Sequence, residues 1–416
     1  MDLRKILTFI LAGGVGKRLY PLTKDRAKPA VPFGGIYRII DITLSNCINS
    51  NLRRIYILPQ YKYESLDRHI RMGWNILSPE LGEFIISIPP QKRIDENWYR
   101  GTADAIYQNL YTLEDRKPEL VLVLSGDHIY KMNYEKMIRY HIESRADITV
   151  GTIEVEKDQA SQLGIIQIDS HNKIIGFQEK PKDPQTLPQK STHCFANMGV
   201  YVFSADVLHD VIQEDAWKDT EHDFGKNVIP MSIAAKNVMA YNFIDENKKD
   251  AKYWRDIGTL DAYWEANMDL VSVTPLFNLY DEDWPIRTHH IQAPPAKTVF
   301  AERDLSSVHG EPRCGSAIDS LISHGCILSG GKVQNCVLSP NVTIHSYSFV
   351  YKSVLMEGVH VGRFSRIQNA IIDKGVIIPP RTTIGYDLAE DSKKYTVTDS
   401  GIVVVPKKMT LDTTTS

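Results

Sequence analysis

Short apolar runs punctuate the chain through residue 275: ILTFILAGG, IYILPQ, VLVLSGD, ADITVGTIEV and MGVYVFS. Between them lie stretches such as YEKMIRYHIESR, whose apolar residues recur at helical spacing. Strands alternating with amphipathic helices predict βαβ units and a largely parallel sheet covered on both faces. Ligands of such sheets sit outside the carboxyl ends of the strands. The glycines after ILTFIL and the Ser-Gly-Asp after VLVL fall at such ends.

Past Pro275 the pattern changes. The segment PLFNLYDEDWPIRTHHIQAPPAK is proline-rich and weakly periodic, so residues 276–317 read as a linker or arm. From residue 318 aliphatics recur at Ile322, Leu328, Val333, Leu338, Ile344, Val350, Leu355, Val361, Ile367, Ile372, Ile378 and Ile384, five or six residues apart. Neither a helix nor an alternating strand has that period. A hexapeptide β-helix does, because each short strand points one aliphatic inward before the chain turns a corner. Residues 318–416 are therefore expected to form a β-helix domain behind an α/β domain at 1–275.

Composition narrows the class. Apolar residues make up 43% of the 416, ample for a packed core, and 48 basic against 51 acidic side chains give a net charge of -3. That balance speaks against a dedicated nucleic-acid binder, whose basic stripe would show as excess Lys and Arg. No apolar stretch reaches the roughly twenty residues that span a membrane. The first apolar run is followed at once by glycines and reads as a strand, not a signal peptide. The five cysteines (Cys47, Cys194, Cys314, Cys326, Cys336) form no CxxC pair, which points to reduced thiols and a cytoplasmic location.

Three segments carry candidate chemistry. In Leu11-Ala-Gly-Gly-Val-Gly-Lys-Arg-Leu19 the glycines let backbone N–H groups approach an oligophosphate, and Lys17, Arg18 and Lys28 supply positive charge. The spacing is neither a Rossmann fingerprint, since Leu19 stands at the third glycine position, nor a Walker A loop, since Arg18 follows Gly16-Lys17. Asp127, after a buried-type strand, is placed to hold Mg²⁺ that also binds substrate phosphates, with Asp256 as a second ligand. Lys180, in Phe177-Gln-Glu-Lys-Pro181, is a compact cation suited to a phosphomonoester. Taken singly, each has a plainer reading: a tight turn, a helix cap, a solvated ion pair.

Together and in this order, with RAKPAVPFGG, YRIIDITLSNCINS, NWYRGTADAIYQN, LSGDHIYKMNY, GFQEKP, NMGVYVF, HDFGKNVIP and YWRDIGTLDAYWEANMDL, the segments resemble the sugar-nucleotide pyrophosphorylases. Within them the match is to the bacterial glucose-1-phosphate adenylyltransferases. The resemblance implies a Rossmann-like, GT-A-like nucleotidyltransferase domain and a left-handed parallel β-helix. It implies transfer of the adenylyl group of ATP to glucose 1-phosphate, with release of pyrophosphate, Mg²⁺ as cofactor, and a role in α-glucan synthesis. By the same resemblance Gly13, Gly14, Gly16 and Arg18 form the triphosphate loop with Lys28 beside it, and Arg18, Lys28 and Asp127 are the catalytic set. Asp127 and Asp256 would hold the metal; Tyr99, Gly164, Glu179, Lys180 and Asn197 would contact the sugar phosphate or sugar nucleotide. Asn197 stands where relatives often have Ser. A homotetramer, with the β-helix in its interface, and a phosphorylated effector are also implied.

Relatives activated by fructose 1,6-bisphosphate carry a basic residue just before the Arg-Ala-Lys-Pro-Ala motif and a His shortly after it. Here these are Asp25 and Pro32, and an acidic side chain repels a bisphosphate, leaving Arg26 and Arg38 as candidates for a different effector or for pairing with local carboxylates. Three other readings stay open: transfer of another nucleotide, a hexapeptide acyltransferase fusion using His324, His345 or His360, and a non-catalytic regulatory subunit. His209-Asp210 and His222-Asp223 lack the further His and Asp of a metal phosphohydrolase.

Overall fold

The computed structural model describes residues 2–91, 98–249, 251–299, 301 and 313–409. They form two compact units whose chain segments interleave. Met1–Gly14, Ile42–Asp127 and Lys131–Lys248 make the first; Val15–Asp41, His128–Tyr130 and Lys249–Ser416 make the second.

The first unit is built on a nine-stranded sheet. Its strands are β1 (Ile6–Ala12), β2 (Arg54–Pro59), β3 (Phe84–Ser87), β4 (Leu120–Ser125), β5 (Ile148–Glu156), β6 (Gly164–Ile168), β7 (Ile174–Glu179), β8 (His193–Ser204) and β9 (Val238–Asn242). The order is β7-β6-β8-β4-β1-β2-β3, with β5 also on β8 and β9 on β5. Every apolar run named above lies in one of these strands. On β1, both the side chains at Leu7 and Phe9 and those at Thr8 and Ile10 are fully buried, as a sheet covered on both faces requires. The stretch YEKMIRYHIESR supplies α1 (Tyr134–Glu143), which starts where the Asn133 side chain accepts from the Glu135 N–H and buries Met137, Ile138 and His141.

The expectation of a largely parallel sheet is corrected. The pairings of β1 with β2 and β4, of β2 with β3 and of β5 with β9 are parallel. However, β8 runs antiparallel to β4, β5 and β6, and β7 antiparallel to β6. An apolar run buried on both faces reads alike in either direction, so the pattern carried no sign of the reversal. The β8 register against β5 shifts between Asn197 and Tyr201, around Gly199 at φ +67°. Such bulges re-aim the side chains beside them.

In the second unit the chain winds as a left-handed parallel β-helix with three sheets of stacked parallel strands, one of them extended by Thr396–Val397 antiparallel to Val403–Val405. One sheet stacks Ile327–Ser329, Thr343–Ile344, His360–Val361 and Ile377–Ile378; the others stack the intervening strands in the same way. Lys297–Val299, inside the 276–317 segment, is the outermost strand of the first sheet, while residues 300 and 302–312 lie outside the described residues. Of the twelve recurring aliphatics, Leu328 through Ile384 are at most 1% exposed, and Ile322 packs against them partly buried. Corner side chains stitch successive turns: the Ser353 N–H donates to Cys336 Sγ and the Ala370 N–H to Ser353 Oγ, each 17 residues on.

Residues 15–41 are anchored within this same unit. The buried Arg26 guanidinium donates to both oxygens of buried Asp373 at 2.8 and 3.0 Å, beside Met356 Sδ. The helix Leu260–Asp269 adds Tyr263, whose hydroxyl donates to the Pro32 carbonyl at 2.7 Å, and Trp264, whose indole N–H donates to the Lys352 carbonyl at 2.9 Å.

Candidate active site

The sequence-derived site residues divide between the units. In the second, the strand His128–Tyr130 pairs antiparallel with Trp254–Asp256, which sets His128 opposite Asp256 with Nε2 3.8 Å from Oδ1. Lys28 Nζ donates to the same Asp256 oxygen at 3.1 Å; the lysine side chain is 10% exposed and the aspartate 38%. A Cβ built on Gly258 would lie 3.2 Å from Asp256 Oδ2 and 3.3 Å from Arg18 Nη2, so that glycine leaves room beside both side chains. Gly16, at φ +65°, is tied to Thr23, whose hydroxyl donates to its carbonyl at 2.9 Å, and a Cβ there would stand 3.3 Å from Lys28 Cβ. Gly16, Arg18, Lys28 and Asp256 thus come together in one compact unit: two cations and a carboxylate around two glycines.

In the first unit Gly13 and Gly14 follow β1. A Cβ on Gly13 would stand 3.1 Å from Gln60 Oε1, while at Gly14 the space is open. The same Gln60 donates through Nε2 to the Tyr99 carbonyl at 2.9 Å, and Asn109 Nδ2 donates to the Tyr99 hydroxyl at 3.0 Å. Burial pushes the Tyr99 phenol above its ordinary pKa, so the hydroxyl stays protonated. After β4 the Gly126 N–H donates to the Leu11 carbonyl at 3.0 Å, fixing the turn that carries Asp127, which accepts from the Ser125 hydroxyl.

Gly164 and Glu179 face each other across β6 and β7. A Cβ on Gly164 would lie 2.7 Å from Phe177 Cζ and 3.3 Å from Glu179 Oε2, so only glycine leaves that hollow open. Lys180, at φ +46°, follows with its ammonium 3.7 Å from Glu179 and 55% exposed. Asn197 donates to the Tyr201 hydroxyl at 2.8 Å and accepts from the Gly199 N–H. Gly225 draws these together: a Cβ there would meet Asn197 Nδ2 at 3.3 Å, Asp223 Oδ1 at 3.4 Å and Phe177 Cζ at 3.7 Å.

Residue-by-residue reading missed Gln60, Asn109, Tyr201, Asp223 and Gly258. Asp223 carried a signal, since Asp-Phe-Gly is a helix start, and its carboxylate accepts from the Gly225 and Lys226 N–H groups and from Thr102 Oγ1. His222 beside it is buried with Nδ1 2.8 Å from Asp215 Oδ2, a packing role consistent with setting the His-Asp dipeptide aside. Arg38 contributes its N–H to Asp41 Oδ2 at 2.8 Å, and the Lys374 ammonium, held below its ordinary pKa chiefly by burial, also feels Arg38 and Arg26. All five cysteines are free, and burial pushes Cys336 up to about 12. As a test of the implied metal, the donor chemistry fits: aspartate oxygens are hard ligands suited to Mg²⁺, and Asp256 retains solvent access.

Comparison with known proteins shows the family: the chain belongs to the nucleotidyl transferases. The nucleotidyl transferase family matches residues 7–273, and the GlmU-like, C-terminal hexapeptide family matches residues 294–405. The chain is 56% identical over 408 residues to the glucose-1-phosphate adenylyltransferase of Koribacter versatilis, covering 97% of this chain and 96% of that one. It is 53% identical to the enzyme of that name from Rhodopirellula baltica (97% and 90% covered). It is 47% identical to glucose-1-phosphate adenylyltransferase 2 of Vibrio cholerae (98% and 99%).

Proposed function

From its membership of the nucleotidyl transferase family, and within it of the glucose-1-phosphate adenylyltransferases, we propose that the chain transfers the adenylyl group of ATP to α-D-glucose 1-phosphate, giving ADP-glucose and pyrophosphate. A phosphate oxygen of glucose 1-phosphate attacks the α-phosphorus of ATP in line, the bond to the β-phosphate oxygen breaks, and pyrophosphate leaves. The attacking oxygen is already anionic, so neither a protein nucleophile nor a strong base is needed. Positioning and charge stabilisation supply most of the rate.

The roles follow the chemistry of each side chain. Gly13, Gly14 and Gly16 admit the triphosphate close to backbone N–H groups, and Arg18 and Lys28 balance the charge on the departing pyrophosphate. Lys180 holds the incoming phosphate, while Tyr99, Gly164, Glu179 and Asn197 shape the sugar side. Asp127 and Asp256 are the residues that would hold Mg²⁺, which when bound neutralises charge on the phosphates of ATP. The observation that carries the reading is the grouping of Arg18, Lys28 and Asp256 around Gly16 and Gly258.

The product serves glycogen or a similar α-glucan, the chain works in the cytoplasm, and it assembles as a homotetramer through the β-helix. The resemblance and the free cysteines support these readings, and no described helix is long and apolar enough to cross a membrane. A phosphorylated effector acts near Arg38 and Arg26, with Lys374 close to both and Arg26 already held by Asp373. The deciding experiment is pyrophosphate release from glucose 1-phosphate with Mg²⁺ and each of ATP, UTP, dTTP and GTP. Turnover chiefly with ATP, abolished by a chelator, is expected; preference for another nucleotide, or no turnover, overturns the reading.

A further inference from the structure

A cavity of about 600 Å³ opens in the first unit at the edge of the sheet opposite the glycine loop. Its walls come from the amino ends of the four neighbouring parallel strands: the turn Leu3–Lys5 before β1, Arg53 and Arg54 at the start of β2, Glu83 before β3, and Arg116, which ends the helix Tyr111–Arg116 ahead of β4. Two sequence-derived site residues of this unit, Gly13 of the triphosphate loop and Asp127, follow the carboxyl ends of β1 and β4.

Four arginines (Arg4, Arg53, Arg54, Arg116) and two acidic residues (Asp2, Glu83) are among the lining residues, a surplus of 4 - 2 = 2 positive charges. The carboxylates are already engaged: Asp2 pairs with Arg4, and Glu83 accepts from the Ser78 N–H. Arg116 meets the Asp115 carboxylate and the Tyr56 hydroxyl. Among the described residues, Arg53 donates to the carbonyls of Ile48 and Leu52 and to the Asn51 amide oxygen, and Arg54 to the carbonyls of Arg4 and Arg116. These bonds fix the two guanidinium groups but do not neutralise them. Partial burial and the like charge of Arg116 hold the Arg54 pKa below its ordinary value, a penalty that an anion would relieve.

We infer that this cavity is a second ligand site, built for a phosphomonoester of sugar-phosphate size and separate from the catalytic centre. A phosphomonoester carries about -1.5 to -2 at neutral pH, which matches the surplus, and rigid guanidinium forks are suited to its oxygens. Leu3 and Leu81 offer an apolar shelf for the organic part, and the volume lies within the range of roughly 300–1,000 Å³ usual for small-molecule sites.

Thermal unfolding of the full chain is followed against inorganic phosphate and against ribose 5-phosphate, for the unaltered protein, the double variant R53Q/R54Q and K180Q. Phosphate raises the Tm of the unaltered protein and of K180Q. In R53Q/R54Q the half-maximal concentration increases about tenfold or more, with adenylyl turnover unchanged, and ribose 5-phosphate acts at lower concentration than phosphate. Stabilisation lost in K180Q but kept in R53Q/R54Q places the anion at the catalytic centre and overturns the proposal. So does the absence of any stabilisation, and weaker binding of ribose 5-phosphate than of phosphate overturns the ligand class. Should R53Q/R54Q not fold, crystals of the unaltered protein soaked in tungstate decide: a tungsten peak on the Arg53 and Arg54 guanidinium groups supports the site, and peaks only elsewhere remove it.

Discussion

In the proposed mechanism Lys180 serves glucose 1-phosphate and Asp127 the metal on ATP, so their loss should separate in the kinetics. K180Q keeps hydrogen-bonding capacity on a side chain one atom shorter and removes the cation proposed to hold the phosphate of glucose 1-phosphate. A charge-assisted bond is worth about 1.5–3 kcal/mol, so the KM for glucose 1-phosphate should rise roughly ten- to a hundredfold with kcat little changed. D127N removes a carboxylate proposed to hold Mg²⁺, and should lower kcat while leaving that KM nearly constant; steady-state kinetics with both substrates varied checks the split. Gly16 gives a second test, because its φ of +65° and the Thr23 methyl 2.9 Å from a built Cβ both oppose a side chain. G16A should cost roughly 1–2 kcal/mol of loop geometry and raise the KM for ATP about tenfold, measured at saturating glucose 1-phosphate. At this scale the sequence was legible where chemistry is local, as in the glycine loop. It was silent on the pairing of Lys28 with Asp256, 228 residues apart, because only the fold brings the two side chains together.

Secondary elements respond to pH through what they bury. On α1, burial lowers the His141 pKa from 6.5 to about 4, with Asp147 opposing slightly, and Nδ1 lies 2.8 Å from Thr149 Oγ1 on β5. The unfolded chain takes up a proton below about pH 6.5 while the folded chain resists until about pH 4. Stability is therefore lost as pH falls through that window, at most about 1.4 kcal/mol per unit from this group. Urea unfolding at pH 7 and pH 5 should show the decline, and H141Q should flatten it. The β-helix strands depend on their inward aliphatics instead: I367A, in a fully buried position, should cost about 2–5 kcal/mol, seen as a lowered urea midpoint. These inward positions were legible because their spacing is the architecture itself. The direction of β8 was not, since burial on both faces removes the alternation that would have marked it.

For the whole molecule, the tie between Arg26 and Asp373 spans 347 residues and is fully enclosed. R26M leaves the Asp373 carboxylate buried and unpaired, which should destabilise by about 3–5 kcal/mol; R26M/D373L, which removes both charges, should recover most of the loss. Calorimetric scans of the two variants against the unaltered chain check the difference. The hexapeptide region was legible from the change of period after Pro275. That residues 15–41 join the later part of the chain was not, because no local pattern announces a long-range ion pair.

This interleaving bears on how such a chain can be rebuilt. Gly16, Arg18 and Lys28 ride on a segment whose anchor is a carboxylate of the β-helix, so the two halves of the sequence are not interchangeable parts. A chimera that takes its β-helix from a relative must import an acid at the place of Asp373, or exchange residues 15–41 along with it.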